Sequence, residues 1–426
     1  MSDTTPESIG RLFRRISLPL AAGAALNQLN RAITAVIAPD IADVFALSAA
    51  DLGFLGAVFF AAYGIAQLPV GAALDRHGPR RVQAALMLAI AAGALVFAAA
   101  DGLGMLVVGR VLLGIGVAAA LMAQLKATRE WFPAPKVATV AGWCVGLSAL
   151  GGVVATVPAE ALRALMGWRG VFVVNALIAL AAGWWIWRSV PEKLQQRSTG
   201  GLAEEVRVVG RIMVHPSFIR LMPVVGMMSA LNFTWQGLWA GPWLRDVAGL
   251  DAVARAEVLL AYALGLTVGS FFSGSVQSAL VRRGAHPLAL IVGCTVALLI
   301  LHGLLIARVL ADLPWLWFLW PFFASPGPIG YTLVSARFPA HMTGRVSTTM
   351  NGVMLVIVFI AQHGIGLILD LWPRTATGGW DPRGYDAAIA VSAAIQAASL
   401  AWLFVRRDAA DADGASPSQP GTPRPA

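Results

Sequence analysis

Polar residues interrupt a long apolar run near the start of the chain, and one of them is an arginine. The run covers about residues 17–43 and holds Asn27, Asn30, Arg31 and Thr34. Spacings of three and four residues place all four side chains on one face of a helix. An arginine at the centre of a bilayer-spanning helix costs about 2.5–3.5 kcal/mol on insertion scales, so it is kept where it faces a polar cavity. This face therefore predicts a water-filled site that attracts anions; the alternative is a structural arginine bonded to neighbouring carbonyl groups.

A second polar face follows at an offset of 205 residues and complements the first. Its members are Asn232, Trp235, Gln236 and Trp239. The fork of a guanidinium matches a carboxylate, and tryptophan rings offer flat walls for an organic body. A phosphate ester usually recruits more than one cation, so a single deep arginine favours an organic monoanion or a zwitterion. Further polar residues in apolar runs complete the predicted substrate-binding set: Tyr63, Gln67, Asn351 and Gln362.

The composition indicates the solvent in which these residues lie. Of the 426 residues, 58% are hydrophobic and 12% are charged, and the mean hydropathy is +0.72. Soluble domains carry about 25% charged residues, so we predict a polytopic α-helical membrane protein. Cys144 and Cys294 fall in apolar runs without metal-ligand spacing, which predicts small core residues rather than a disulfide or a metal site. No cofactor is expected.

Twelve apolar runs predict an all-α membrane protein with twelve transmembrane helices. Their approximate limits are 17–43, 51–74, 82–100, 103–128, 136–160, 168–188, 217–245, 254–281, 286–310, 312–336, 343–371 and 385–405. With both termini in the cytoplasm, the inner segments hold 22 Lys and Arg residues and the outer segments hold 7. This asymmetry predicts cytoplasmic termini and explains the net charge of +9 without nucleic acid. Trp315, Trp317 and Trp320 are expected in an interfacial belt.

The long polar connection between the sixth and seventh runs divides the chain. We predict an N-terminal six-helix bundle over 1–188, a cytoplasmic linker over 189–216, a C-terminal six-helix bundle over 217–407 and a disordered tail over 408–426. Three pairs of landmarks recur at offsets of 203 to 206 residues, which predicts two pseudo-symmetric halves of parallel topology. Transporters built from such halves bind substrate near the bilayer midplane, where the halves meet.

Two motifs give the chain a specific resemblance. Between the second and third runs, residues 71–81 read G-A-A-L-D-R-H-G-P-R-R, which resembles the signature loop of the major facilitator superfamily. In the fourth run, Arg110-x-x-x-Gly114-x-Gly116 resembles the second motif of that superfamily. Residues 63–76, together with the arginine of the first run, resemble its organic-anion and sugar-phosphate permease branch. The resemblance covers nearly the whole chain and implies a secondary transporter that works by alternating access.

The resemblance also implies gating roles for one set of residues: Gly71, Asp75, Arg76, Gly78, Arg80, Arg81 and Arg110. Gly71 and Gly78 would permit close helix approach and a tight turn. Asp75 would accept from N–H groups at a neighbouring helix end, or pair with an arginine, and so lock the outward-facing state. Arg110 would pack against the first helix, in either a supporting or a coupling role.

Departures from the known branches narrow the substrate. Organophosphate exchangers carry a basic residue where Gln67 stands and an arginine near Gln236. Nitrate porters carry an Asn/Gly-rich signature of which residues 142–152 keep only the glycines, and drug antiporters carry a proline where Leu147 stands. The predicted substrate is therefore a small organic anion or zwitterionic metabolite. A nitrate-like inorganic anion or a sugar phosphate is the alternative.

The positions of the acidic residues bear on coupling. Asp40, Glu160 and Asp370 lie near the ends of runs, so no carboxylate is placed to relay protons through a span. This favours exchange, facilitated diffusion, or coupling through His302, His363 or the charge of the substrate.

The predicted partners are the lipid bilayer, a small-molecule substrate and any coupling ion, for a monomer in a bacterial inner membrane. A non-transporting sensor of the same fold is a second hypothesis. An intramembrane enzyme is a third, and no nucleophile–base pair at helical spacing supports it.

Overall fold

The computed structural model describes residues 9–192, 202–309, 313–339, 342–376 and 378–405. The predicted disordered tail, 408–426, and the centre of the predicted linker, 193–201, lie outside these described residues. Within them the chain is helical with short connections and contains no β-strand. The helices in chain order are α1 (Ile9–Leu12), α2 (Leu18–Val44), α3 (Ala49–Ala98), α4 (Leu103–Gly116), α5 (Ala120–Trp131), α6 (Ala134–Val154), α7 (Val157–Ser189), α8 (Leu202–Met213), α9 (Pro216–Thr234), α10 (Ala240–Asp246), α11 (Ala252–Arg282), α12 (Ala289–Ile306), α13 (Pro314–Ala324), α14 (Gly327–Ser335), α15 (Thr343–Leu369) and α16 (Pro382–Val405).

Two glycines divide long helices at predicted turns. Helix α3 is broken at Gly78, where φ is 78°, and α7 is broken at Gly167, where φ is 70°. A residue with a Cβ atom rarely adopts these left-handed values, so glycine is required at both turns. The end of each helix nearest the Gly78 turn is called the inner end below, and the opposite end is called the outer end.

The helices are those of a multi-pass integral membrane protein. In the described chain, eight helical stretches are long and apolar enough to cross a membrane, and nine are if α8 and the bent stretch after it form one span. Helices α3 and α7 count once each here although glycine breaks both of them. The number of twelve spans stays a prediction.

Several predicted spans are interrupted. The fourth predicted span is split into α4 and α5, and the tenth into α13 and α14. In the seventh, a π-helical turn, Trp235–Trp239, joins α9 to α10. Such turns are rare and occur frequently at functional sites. The predicted linker also contains a helix, α8, which its polar composition did not suggest; Val208 and Ile212 form its buried face.

The described residues up to 192 are called the first part of the chain below, and those from 202 onward the second part. Close backbone contacts bring these two parts together. Helix α15 packs along α3, and α2 packs against the π-helical turn and α10. A Cβ atom added at Gly241 would lie 1.7 Å from the carbonyl oxygen of Ala35, so these two backbones touch without an intervening side chain. This contact surface passes directly beside Arg31.

The belt prediction is wrong for two of the three tryptophans and stays a prediction for Trp315. Trp315 is 72% exposed, as a residue at the membrane interface can be. Trp317 and Trp320 are buried against Trp235 instead, with ring centroids 5.9 and 5.8 Å from it. The face of α13 that packs beside the π-helical turn therefore carries the rings of Trp317 and Trp320.

Candidate substrate site

Arg31 lies on α2 between aromatic rings contributed by different parts of the chain. Its guanidinium carbon is 4.4 Å from the ring centroid of Phe233 on α9 and 5.7 Å from that of Tyr63 on α3. Tyr331 of α14 is close enough to interact electrostatically with both Arg31 and Tyr63. Cation–π contacts of this kind contribute about 2 kcal/mol when desolvated. The rings hold the cation but do not neutralise its charge.

Arg31 is a buried cation without a carboxylate. Its side chain is 9% exposed, and within the described part of the chain it makes no ion pair with Asp or Glu. Its Nε–H also lacks a protein acceptor there. A buried charge without a counter-charge is costly, and a bound anion would remove that cost. The site can therefore attract and orient a carboxylate.

The edge of the polar face of α2 that lies away from Arg31 has a structural role. Asn30 donates to the carbonyl oxygen of Leu26 at 2.8 Å and accepts from Asn175 of α7 at 2.8 Å. Arg110 donates to the carbonyl oxygen of Asn30 at 3.3 Å and also to the hydroxyl of Thr34. These groups are buried and bonded to one another.

The expectation that all four polar residues of α2 face the substrate is therefore corrected. Successive residues of an α-helix are about 100° apart, so Asn30 and Arg31 lie at opposite edges of the shared face. Arg31 turns toward the second part of the chain, whereas Asn30 and Thr34 turn toward α4 and α7. Asn27 lies between them and donates to the carbonyl oxygen of Val117 at 3.5 Å, where α4 ends.

Most of the second predicted face also packs internally. Asn232 accepts at its side-chain oxygen from the Tyr262 hydroxyl at 2.9 Å. Trp235 is buried in the tryptophan cluster described above. Trp239 is fully buried, stacks edge-on against Trp380 at 6.1 Å and donates to the backbone oxygen of Gln362 at 3.0 Å. The two tryptophans are thus core residues and not walls of an open cavity.

Two glutamines from this part of the chain keep polar atoms without protein partners. The Oε1 atom of Gln236 and both side-chain polar atoms of Gln362 have no hydrogen-bond partner among the described residues. Gln362 lies against Gly237 of the π-helical turn. A Cβ atom added at Gly237 would be 3.1 Å from Nε2 of Gln362 and 3.3 Å from the backbone oxygen of Arg31. Unpartnered buried amides are expensive, so each position is suited to a ligand group or a water molecule.

The predicted water-filled chamber is closed in this structure. The space beside Gln236 measures ≈ 10 Å³, which is about one water molecule, and is lined by residues that include Ala32, Thr156 and Tyr262. The rings of Tyr63 and Phe233 occupy the room next to Arg31. The candidate site is therefore closed in this conformation, and the unpartnered polar atoms of Arg31, Gln236 and Gln362 are buried in it.

Polar residues from α3 and α15 meet on the inner side of Arg31. Asn351 donates through Nδ2 to Oε1 of Gln67 at 3.1 Å. Gln67 is 6% exposed and lies one helical turn from Tyr63. This hydrogen bond joins the two parts of the chain below the arginine, which is the side that leads to the inner end.

The residues of the signature loop interact only with their own part of the chain in the described structure. Lys126 lies 2.7 Å from Asp75, and Arg80 lies over the ring of Trp187 at 4.8 Å. Arg81 pairs with Glu192, and Arg76 is exposed. Gly78 forms the predicted turn. Gly71 has open space around it, so the close approach expected there does not occur in this conformation.

Phe233 and Tyr331 are the site residues that sequence reasoning did not select. Phe233 is adjacent to the selected Asn232 but about 100° away from it around the helix, so helical spacing removed it from the predicted face. Tyr331 lies on α14, within the tenth predicted run, and was not part of the predicted substrate-binding set.

Comparisons with known proteins agree with this architecture. The family model described as Major Facilitator Superfamily matches residues 20–362. A probable L-galactonate transporter of Escherichia coli (strain K12) is 28% identical over 293 residues, which cover 66% of this chain and 65% of that protein. A hexuronate transporter of Bacillus subtilis (strain 168) is 24% identical over 288 residues, covering 64% of this chain and 68% of that protein. The match to the first relative thus spans just under two thirds of its length.

A solved structure shows the same fold over most of the chain. It is a bacterial homologue of the human lysosomal transporter Spinster, in an inward-facing and occupied conformation. The two structures align with a TM-score of 0.74 at 18% sequence identity, covering 92% of this chain and 96% of the other. The relatives above are named as transporters, so the enzyme hypothesis is set aside. The signature loop, the helical architecture and the match over residues 20–362 together make this chain a member of the Major Facilitator Superfamily.

Proposed function

We propose that the protein is a secondary transporter that moves a small organic monoanion across the membrane by alternating access. The observation that carries this proposal is the buried, carboxylate-free Arg31 at the contact between the first and second parts of the chain. We further propose twelve spans in two six-helix halves, cytoplasmic termini, a monomer and a location in the bacterial inner membrane. The family and the charge asymmetry of the loops support that arrangement.

The polar groups near Arg31 favour a hydroxylated acid as substrate. The guanidinium offers a two-point contact for one carboxylate. The free amide atoms of Gln236 and Gln362 can accept from and donate to hydroxyl groups. Phe233 and Tyr63 supply apolar faces for a carbon skeleton. The names of the two relatives, for L-galactonate and hexuronate, fit a sugar acid, and we propose this class.

The same geometry disfavours a doubly charged ester. Gln67 bonds to Asn351, and Gln236 has no charge, so Arg31 has no second cation beside it in the described site. A phosphate monoester carries up to two charges and would be left partly uncompensated there. We therefore place sugar phosphates below sugar acids as substrates.

Uptake into proteoliposomes tests the proposal. The purified full-length protein would be reconstituted and assayed with radiolabelled galactonate, galacturonate, sulfoacetate, nitrate and glucose 6-phosphate. Saturable uptake of a hydroxylated carboxylate supports the proposed class. Uptake of nitrate or of the phosphate ester alone would reject it in favour of the alternatives. Binding to the protein without flux of any of these anions would identify a sensor.

We also propose that transport does not depend on a proton relay through a span. Carboxylates on the described spans lie near helix ends or, for Asp75, near the break at Gly78; Asp40, Asp51, Glu160 and Asp370 are examples of the first kind. His302 is buried against Trp320, and its Nδ1 interacts with the carbonyl oxygen of Leu298 at 2.7 Å. Exchange or facilitated diffusion needs no such relay.

A further inference from the structure

A carboxylate from one part of the chain caps a helix of the other part at the outer end. Asp370 follows the last residue of α15, and its two oxygens accept from the backbone N–H groups of Ala49 at 2.9 Å and Ala50 at 2.8 Å. These are the first two N–H groups of α3, and an α-helix leaves such groups without internal partners. The negative charge also complements the positive end of the helix dipole. The contact thus resembles a helix cap supplied from a residue 321 positions away.

Further contacts join the outer end of α3 to residues in and after α15. Arg374 donates to the carbonyl oxygen of Leu47, just before α3. A ring nitrogen of His363 lies 3.3 Å from the carbonyl oxygen of Ala50. A Cβ atom at Gly366 would lie 2.3 Å from the carbonyl oxygen of Ala49, so α15 touches the backbone of α3 here. The outer ends of α3 and α15 are therefore in direct contact.

The inner ends of the same two helices show the opposite arrangement. Asp75, near the inner end of the first arm of α3, is 56% exposed and pairs with Lys126 of its own part of the chain. Among the described residues, no side chain caps the first turn of α15. A hollow of ≈ 350 Å³ lies beside that turn and is lined by Thr332, Ser335, Ala336, Phe338, Thr343 and Ser347. The carboxylate contact is therefore made at the outer end and not at the inner end.

We propose that Asp370 is an outer latch that holds the transporter closed on its outer side and releases it once in each transport cycle. This proposal rests on the proposed function, because a latch is useful only to a protein that alternates. The first arm of α3, residues 49–77, runs beside α15. Asp75 lies near the C-terminal end of that arm, and Asp370 lies just after the C-terminal end of α15. Asp370 makes its contact with α3 when the outer ends are together. In the proposed cycle, Asp75 leaves Lys126 and makes the corresponding contact with α15 when the inner ends are together.

The strength of the contact suits a latch that must open. Loss of a helix-capping side chain changes an equilibrium by about fivefold. A contact of this size biases two conformations without trapping either of them. A permanent structural joint would instead be expected to affect folding.

A distance measurement between the outer ends tests the latch without any substrate. Val44, at the end of α2, and Val253, in the first turn of α11, are 59% and 60% exposed and suit spin labels as Val44→Cys and Val253→Cys. Cys144 and Cys294 would be replaced by Ala. In reconstituted full-length protein, Asp370→Asn should raise the population with a long label-to-label distance by about fivefold. Asp75→Asn should lower that population, and the double variant should return toward the parent.

Asp386→Asn is the matched control, because Asp386 pairs with Arg308 at 3.0 Å within the second part of the chain. It should leave the distance distribution unchanged. If Asp370→Asn does not yield folded protein, Asp370→Glu keeps the charge, alters the two-point geometry and should shift the distribution less in the same direction. An unchanged distribution in folded Asp370 variants, or an equal shift in the control, overturns the latch. Since no substrate is present, neither result depends on the proposed substrate class.

Discussion

Arg31 and Arg110 are two buried arginines of the same part of the chain, and they differ in what surrounds the guanidinium. Arg110 is 2% exposed, lies over Phe59 at 5.3 Å and donates to Asn30 and Thr34 of α2. Arg31 is 9% exposed and lies between Tyr63 and Phe233, with no carboxylate in the described structure. Arg110 joins helices of one part of the chain. Arg31 lies where the two parts meet.

The comparison shows that burial alone does not identify a binding residue. Each arginine pays a desolvation cost, but Arg110 recovers part of it through hydrogen bonds that fix α4 against α2. Arg31 recovers its cost only partly, through the faces of aromatic rings. The difference predicts that changes at Arg31 mainly affect substrate handling, and changes at Arg110 mainly affect stability.

The largest expected effect follows removal of the charge at Arg31. In Arg31→Gln, we expect uptake of the anionic substrate to fall by at least about a hundredfold, because a buried charge partner is lost. The melting temperature of the purified protein should stay the same or rise, since an unpaired buried cation is removed. Arg31→Lys keeps the charge but not the planar fork, so its uptake rate should lie between those of the parent and Arg31→Gln. Normal uptake by Arg31→Gln would falsify the anion-site proposal.

Arg110→Leu should mainly lower stability. It removes the donor to the hydroxyl of Thr34 and the second donor to the carbonyl oxygen of Asn30, which keeps its place in the hydrogen-bond ladder of α2. Loss of the buried hydrogen bond to Thr34 should cost about 1–3 kcal/mol. Thermal denaturation in detergent measures this change, and uptake per folded molecule should stay within severalfold of the parent. A variant with an unchanged melting temperature but no uptake would assign Arg110 to coupling and break the contrast with Arg31.

Lys126 is a third cation of this part of the chain, and it differs from the other two in having a carboxylate, Asp75, at 2.7 Å. We expect Asp75→Asn to insert normally but to slow transport by about fivefold, because the helix-end contact of the other conformation is lost. The control is Lys126→Gln, which removes the ion pair with Asp75 and the longer one with Glu130 at 4.0 Å but keeps the Asp75 carboxylate. Equal rates in both variants would show that Asp75 serves Lys126 and is not a latch.

The smallest expected effect concerns protons. With no carboxylate at the centre of a described span, an inward proton gradient should change the initial uptake rate by less than about twofold. Vesicles with and without the gradient measure this directly. Strong dependence that persists in His302→Gln and His363→Gln would refute a mechanism without proton coupling, and would place the relay outside both histidines.

Local properties of the sequence were sufficient for the class of protein and for its central cation. Hydropathy, the depth of Arg31 in an apolar run and the signature loop depend on neighbouring residues, so they are visible before folding. The turn at Gly78 is of the same kind, because glycine followed by proline between two apolar runs leaves few other conformations.

Only the tertiary structure decided which neighbouring helix each face of a helix contacts. Asn30 is bonded to Asn175, 145 residues away, and this contact removes Asn30 from the substrate face. Trp235 is surrounded by Trp317 and Trp320, which the sequence placed at the membrane interface. Hydropathy reports how apolar a helix is, but inside a membrane every neighbour is apolar too, so it does not tell a lipid-facing side from a protein-facing side.

The sequence by itself determined that this chain is a helical membrane protein of a known superfamily with an arginine deep in its first apolar run. The tertiary structure alone decided that Arg31 lies at the junction of the two parts of the chain, that Arg110 binds α2 at Asn30 and Thr34, and that Asp370 caps the outer end of α3. Such pairings join residues separated by tens to hundreds of positions. They follow from the relative rotation of packed helices, which no local pattern encodes.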